Sequence, residues 1–417
     1  MSSQLVTISN RKLRDTELIG RIRTQIQDVS LRELVNFSVN SRQTFNLDTN
    51  KLSYHAERVE AWRQGLRIAP VTIDMALTQK CSYACTFCYA GLQQNPTAPV
   101  PWATYSDFLD DCVEIGHKPG EGVRAISLVS DGESTENPDV YRFIAKARSN
   151  GIDISIGTNG LKLVETEFEL LLKALTYIRI NFNAGEAEAY SRIMGTAPRN
   201  FEVVCDKIQK LVRLKKKSGS LTTIGLQMVL MPEYADQVIP LALLGRELGV
   251  DYFVIKHCSD DENGRLGVDY AWYRSELAME LLRTAEALST ERYSVQAKWS
   301  KMRTGRDRAY SKCFGPPLFL QMSGTGIVAP CGSFFHNDYK RYHIGCISER
   351  RFKDIWASPE YSEVMGHLRS GNFDPRKECA TLCLQDKVNE TLFDMIELGL
   401  PLPKQHLGPN PAHINFL

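Results

Sequence analysis

The chain has 417 residues, 43% of them apolar, and a formal net charge of +1. That length exceeds one ordinary domain and suits a large α/β domain with a smaller companion, and the apolar content allows a sizeable core. Near-neutral, evenly mixed charge gives no general attraction to nucleic acid or to a membrane surface, so neither is expected as a partner.

The N-terminus, Met1 to Asp15, is polar and lacks the apolar segment of a secretory signal. Residues 1–70 read as a mostly helical extension, with helical stretches at Arg14 to Leu34 and Leu52 to Trp62 and a turn-rich link at Asn46 to Lys51. From residue 71 the pattern changes. Val71, Ile73, Met75 and Leu77 alternate with other residues, which predicts a strand. Further strands are expected at Ala125–Val129, Ile152–Ile156, Tyr177–Phe182, Thr223–Leu230 and Tyr252–Ile255. Helices are expected between them at 140–149, 165–174, 201–216 and 237–248, and after them at 277–288.

Strand alternating with helix predicts a parallel sheet with right-handed crossovers. Six such units are too few for a closed eightfold barrel and enough for a partial (β/α)6 barrel, in an α/β domain over 71–290. Ligands in such folds sit at the C-terminal ends of the strands. Beyond about residue 300 the texture turns to short β segments and spaced cysteines, which predicts a smaller α+β domain over 291–390. The tail, 391–417, carries prolines and Asn-Pro from Pro401 onward, so its end is expected to be extended. The apolar terminus His413–Leu417 is expected to fold over the barrel mouth or to fill a surface groove. The most apolar short run, Val238–Gly245, is far below the roughly 18 residues needed to span a bilayer. A cytoplasmic location is expected.

Eleven cysteines then need a reason. The cytosol keeps thiols reduced, and clustered cysteines there more often bind metal or perform catalysis. Cys112 and Cys205 read as small buried hydrophobes. Cys81-Ser-Tyr-Ala-Cys85-Thr-Phe-Cys88 follows the first strand with C-x3-C-x2-C spacing. A closed zinc site wants four ligands. Three thiolates on a four-iron cube leave one iron open to a small chelating ligand. A zinc knuckle or three unrelated thiols are the alternatives on spacing alone.

The loop, with Phe87 just before its third cysteine, resembles the signature of the radical S-adenosylmethionine (SAM) superfamily. The resemblance implies a 4Fe–4S cluster on Cys81, Cys85 and Cys88, whose open iron is chelated by the amino and carboxylate groups of SAM. It implies further SAM contacts at strand ends. Ser130-Asp-Gly-Glu133 resembles the family's glycine–glutamate motif, with Asp131 in place of the first glycine and Ser134 in place of the proline, so Gly132 and Glu133 carry over. Gly157-Thr-Asn-Gly160 matches the turn near the ribose, which brings in Thr158 and Asn159. Asn181, with Asn183 beside it, and Arg192 follow the fourth strand, and Gln227 sits inside the fifth; all are candidate SAM contacts.

Farther on, Cys313-x12-Gly326-x4-Cys331 and Cys379-Ala-Thr-Leu-Cys383 resemble the C-terminal extension of SPASM and twitch-type radical SAM enzymes. The full pattern has seven cysteines; four fit the shorter form and imply one auxiliary 4Fe–4S cluster on Cys313, Cys331, Cys379 and Cys383, with a structural zinc as the alternative. Cys346 reads as a non-ligand.

The implied reaction is reductive cleavage of SAM to a 5′-deoxyadenosyl radical, which abstracts hydrogen from a substrate C–H bond. The electron is expected from a flavodoxin- or ferredoxin-type donor. The sixth strand ends in Lys256-His-Cys-Ser-Asp-Asp-Glu262, so Lys256, His257, Cys258 and Asp260 are the expected substrate-contacting groups. The expected substrate is a polar small molecule of sugar or aminocyclitol type, oxidised or epimerised with the help of the auxiliary cluster, because residues 1–70 read as too short and too helical for a leader-binding domain. The alternative is a maturase of a ribosomally made peptide or protein. A non-enzymatic Fe–S scaffold is third, and Glu133 with Asn159 argues against it.

Overall fold

The computed structural model describes residues 16–29, 51–92, 95, 99–261, 263–304, 307–381, 383–405 and 413–417. The link at 46–50, Arg14–Asp15, residues 30–34 and Glu262 lie outside the described residues.

Seven parallel strands form the centre: β1 (Thr72–Met75), β2 (Ala125–Leu128), β3 (Asp153–Thr158), β4 (Leu175–Asn181), β5 (Thr223–Leu230), β6 (Tyr252–His257) and β7 (Ser294–Ala297). The six expected strands are all present. Ser294–Ala297 was not expected, because an edge strand of four residues with only Val295 and Ala297 buried gives too short a pattern to read. The C-terminal region adds β8 (Phe319–Met322), β9 (Ile327–Ala329) and β10 (Gly345–Cys346) to the same sheet. β8 runs parallel to β1, pairing Thr72 with Phe319 and Met75 with Met322, and β8, β9 and β10 then meander antiparallel. The sheet curves as a partial barrel with helices outside.

Period-two alternation decides what each face holds. Ile73, Ile126, Ile156, Ile178 and Ile180 are buried on the face that packs with the helices. The alternate residues face inward and are polar: Asp74, Ser127, Ser155, Tyr177 and Arg179. Ser155 Oγ donates to Ser127 Oγ at 3.2 Å, and Ser127 Oγ lies 3.3 Å from Tyr177 OH. A parallel barrel of this kind therefore keeps an apolar outer layer and a polar lumen.

The terminus closes the lumen from below. Phe416 packs edge-on to Tyr177 with ring centroids 5.1 Å apart, and His413 stacks on the same ring at 5.1 Å. Thr72 Oγ1 donates to Asn415 O at 2.7 Å and Asn415 Nδ2 donates to Asp153 Oδ2 at 2.7 Å. His413 Nε2 lies 3.2 Å from Thr223 Oγ1. These are first residues of β1, β3 and β5, so the tail plugs the N-terminal end of the barrel, opposite the mouth that was one of its two expected destinations. Lys51 Nζ fixes it further, donating to Phe416 O at 2.6 Å.

The helical extension is anchored at the same end. Arg58, itself buried, donates to Ala69 O and Pro70 O at 3.0 Å each and to Glu121 O at 2.8 Å. Among the described residues, no helix is long and apolar enough to cross a membrane.

Candidate active site

The C-terminal ends of β1 to β6 converge on a cavity of about 450 Å³. The Cys81–Cys88 loop forms one wall. Backbone bonds hold it from the far side, Ala84 N to Gly195 O at 3.3 Å and Thr86 N to Ile193 O at 3.0 Å. A Cβ at residue 195 would lie 2.2 Å from Ala84 O, so only glycine lets the two backbones meet. Tyr83 OH and Tyr190 OH, 3.0 Å apart, add a buried clamp.

Cys81, Cys85 and Cys88 all line the cavity. Burial pushes the Cys85 thiol well up, and the charges of Cys88 and Cys81 push it further. Burial raises Cys81 too, with Glu133 and Cys88 adding to it. A cation placed beside these thiols would ease their ionisation. The three thiols share one cavity wall, although among the described residues no group of three or more His, Cys, Asp or Glu already stands close enough to hold a metal ion.

The turns after β2 and β3 are bolted to each other. Gly132 has φ +79°, and a Cβ there would lie 2.1 Å from Thr78 O, so the glycine is obligatory. Glu133 Oε1 accepts from Thr158 Oγ1 at 2.8 Å and from Thr135 Oγ1 at 2.7 Å and N at 3.1 Å; Oε2 accepts from Asn159 N at 2.7 Å. Oε1 is thus fully engaged, and only Oε2 keeps a lone pair for an amino group. Asn159 reaches the cysteine loop, donating to Ser82 Oγ at 3.3 Å. Asp131, which stands where the family pattern has a glycine, accepts from Gln79 Nε2 at 2.7 Å and from Gly324 N at 2.8 Å, tying β2 to the C-terminal region.

The remaining expected SAM contacts divide. Asn181 and Gln227 both line the cavity and bond to each other, Gln227 Nε2 to Asn181 Oδ1 at 2.8 Å. Thr158 stands behind Glu133, outside the lining. Arg192 lies in a separate hollow with Thr86 and Glu233, because the helix Ala187–Met194 presents it away from the lumen. Asn183 is buried and donates to Val229 O at 2.8 Å, a structural role.

Of the four residues expected to meet substrate, Lys256 lines the cavity. His257, the next residue along the strand, points out of the lumen and packs edge-on to Tyr270 at 5.5 Å. Cys258 Sγ turns to Ser259 O at 3.2 Å. Asp260 spends its carboxylate on the backbone amides of Asp261 at 2.8 Å and Leu266 at 2.9 Å, shaping its own loop. The sequence reading missed Arg179 and Tyr89, which line the cavity; Ser259, within the expected Lys256–Glu262 segment, lines it as well. Arg179 had a signal: a charge between two buried isoleucines in a central strand must face the lumen.

The second cysteine set is also drawn together. Burial raises the Cys313 thiol well above its ordinary value, followed by the charges of Cys383, Cys379 and Cys331. Cys379 and Cys383 each feel Cys331 in the same way. Cys346 faces Thr325 O at 3.6 Å and is not among the charges named for Cys313, Cys379 or Cys383. Arg308 closes the site from one side, donating to Pro375 O at 2.6 Å and to Ala380 O. Burial raises the Tyr89 phenol, and the charges of Cys331 and Cys88 add to the rise. Four thiols in one electrostatic neighbourhood are the candidates for a centre fully ligated by protein.

Residues 75–242 match the model of the Radical SAM superfamily, and residues 313–384 match that of an iron–sulfur cluster-binding domain, SPASM. The chain is a radical SAM enzyme with a C-terminal SPASM-type domain. Its cofactors are SAM, a 4Fe–4S cluster and auxiliary iron–sulfur chemistry. Among curated relatives, the AdoMet-dependent heme synthase of Methanosarcina barkeri is 25% identical over 320 residues, 72% of this chain and 85% of its own. The mycofactocin maturase MftC of Mycolicibacterium smegmatis is 21% identical over 378 residues, 85% of this chain and 84% of its own. Among solved structures, Streptococcus suis SuiB bound to S-adenosylmethionine aligns with TM-score 0.56 and 16% identity, covering 82% of this chain and 78% of that one, a likeness of fold.

Proposed function

We propose that this enzyme is a maturase that modifies a ribosomally made peptide or protein by hydrogen abstraction. The observation that supports it is the likeness to the mycofactocin maturase, which runs through 85% of this chain. The heme synthase likeness supports a second reading, a small-molecule substrate, though not the sugar or aminocyclitol first expected.

In this reading Cys81, Cys85 and Cys88 hold the SAM-binding cluster, and Cys313, Cys331, Cys379 and Cys383 hold one auxiliary 4Fe–4S cluster. The bound cofactors supply one-electron cleavage of SAM and a carbon radical that takes hydrogen from substrate. The chain does the rest. Gly132 lets backbone approach the SAM amino group, Glu133 holds the Gly132 and Asn159 turns at fixed separation, and Asn181 with Gln227 presents a polar edge to the ribose. Lys256 and Arg179 face the substrate space. A flavodoxin- or ferredoxin-type protein delivers the electron.

The test is anaerobic reconstitution with iron and sulfide, then SAM and dithionite, with short peptides encoded beside its gene as candidate substrates. The proposal expects 5′-deoxyadenosine release that rises with one such peptide, a mass change on that peptide, and loss of both in Cys85→Ala. Release stimulated by a small metabolite and by no peptide would overturn it in favour of the second reading.

A further inference from the structure

The lumen holds positive charge that the SAM-facing turns leave unused. Arg179 projects inward from β4 and Lys256 from β6, and both line the cavity. Arg179 Nε is buried with no hydrogen-bond partner among the described residues. The charged groups acting on Lys256 are Arg179, Lys301, Cys258 and Asp74. Those acting on Asp74 are Arg179, Lys256 and Lys301. Three bases thus stand against one carboxylic acid, and an unpaired buried guanidinium N–H is costly until an acceptor arrives.

Glycines flank Arg179 on both neighbouring strands. Arg179 pairs in register with Gly157 on β3 and Gly225 on β5. A Cβ on Gly157 would lie 2.9 Å from Val129 Cγ1 and 3.5 Å from Arg179 Nη2, and one on Gly225 would strike the Tyr252 ring at 2.2 Å. A side chain at residue 157 would crowd the guanidinium, whereas the space over Gly225 is taken by the Tyr252 ring. The cysteine loop and the Gly132 and Asn159 turns occupy the β1–β3 side of the cavity, whereas Arg179 and Lys256 share the β4–β6 side with Asn181 and Gln227.

We propose that Arg179 and Lys256 form a carboxylate-binding subsite for the substrate, separate from the groups that receive SAM. A planar guanidinium and an ammonium together suit a carboxylate, the first by a forked pair of donors and the second as a point charge. The substrate is thereby assigned to the carboxylate-bearing class, whether peptide or small molecule. This deepens the proposed function and rests on it only in taking the cavity as the site of reaction.

The probe is propionate, with propionamide as its neutral isostere, titrated at matched ionic strength into anaerobically reconstituted protein saturated with SAM. Saturating SAM leaves its own carboxylate positions filled, so the melting temperature reads any second carboxylate site. A saturable rise with propionate and none with propionamide is expected, and its loss in both Arg179→Gln and Lys256→Gln. Radiolabelled SAM binding by equilibrium dialysis should stay within about threefold in both variants, which also certifies their folding. No propionate-specific rise in the parent protein, or a rise retained in both variants, overturns the subsite. A loss of SAM affinity beyond about tenfold in Arg179→Gln assigns the cations to SAM's carboxylate and overturns it as well. SAM cleavage without substrate reads the radical SAM reaction separately, so failure of either idea is visible alone.

Discussion

The backbone amide of Asn159 donates to Glu133 Oε2 at 2.7 Å, which locks the turn after β3 to the turn after β2. Three more donors, from Thr158 and Thr135, converge on the other carboxylate oxygen. Burial raises the Glu133 carboxyl, and those hydrogen bonds work against the rise. Glu133→Gln removes a charged acceptor, and hydrogen bonds to charged groups are worth about 1.5–3 kcal/mol. SAM affinity should fall by about tenfold to a hundredfold while iron content stays unchanged, measured by dialysis and iron assay on the same sample.

Gly132→Ala tests the close approach of backbones. The new methyl would meet Thr78 O at 2.1 Å in a left-handed conformation, so the turn must shift. Strain of this kind costs about 1–3 kcal/mol. A soluble variant with intact clusters and weakened SAM binding is expected. A variant that binds SAM normally would show that the turn does not face it.

The tail gives a prediction of the opposite sort. Phe416 is buried at the barrel's closed end, against Tyr177. Phe416→Ala should cost about 3–5 kcal/mol in denaturant unfolding of the loaded enzyme. Release of 5′-deoxyadenosine below the transition should be unaffected, because the mouth lies at the other end of the strands.

The pH dependence of the carboxylate subsite follows from two groups. Burial, with the charges of Arg179 and Lys301, brings Lys256 down to about 7, against opposing pulls from Cys258 and Asp74. Burial brings Asp74 up to about 7, opposed by Arg179, Ser127, Lys256 and Lys301. Raising the pH through 7 therefore removes a positive charge and adds a negative one. Both changes disfavour an anion, so propionate binding should weaken from pH 6 to pH 8, and Asp74→Asn should make that profile shallower. A profile that strengthens with pH would reverse the assignment.

Arg308 bears on the second cysteine set, where the charges of Cys379 and Cys383 hold its proton. Replacing it with Met removes a positive charge beside a centre that becomes more negative on reduction. The midpoint potential of the auxiliary cluster should fall, read by redox titration with electron paramagnetic resonance.

Much of this site was legible as sequence because its parts end strands. Cys81–Cys88, Gly132 and Asn159 sit just past runs of alternating apolar residues, where a parallel barrel must place its ligands. Arg192, Asp260 and His257 were harder to read. Each is polar and near a strand end, but a helix turn, a backbone-bonded loop and the strand's own alternation point them elsewhere. Arg179 and Asp74 were missed for the converse reason: they lie inside strands, where an Ile-rich pattern draws attention to the face that packs against helices. The tail's destination was not legible at all, since docking of His413 and Phe416 onto Tyr177 is a contact across more than two hundred residues of chain.

The central claim is an iron centre with three protein sulfurs and a coordination position open to SAM. Its most direct measurement is the paramagnetic resonance spectrum of the dithionite-reduced Cys379→Ala protein, in which the auxiliary signal is altered, before and after SAM is added. The account predicts a cluster signal whose shape changes with SAM and which vanishes in Cys85→Ala. Zinc in place of iron in oxygen-protected protein, or a signal indifferent to SAM, would contradict it.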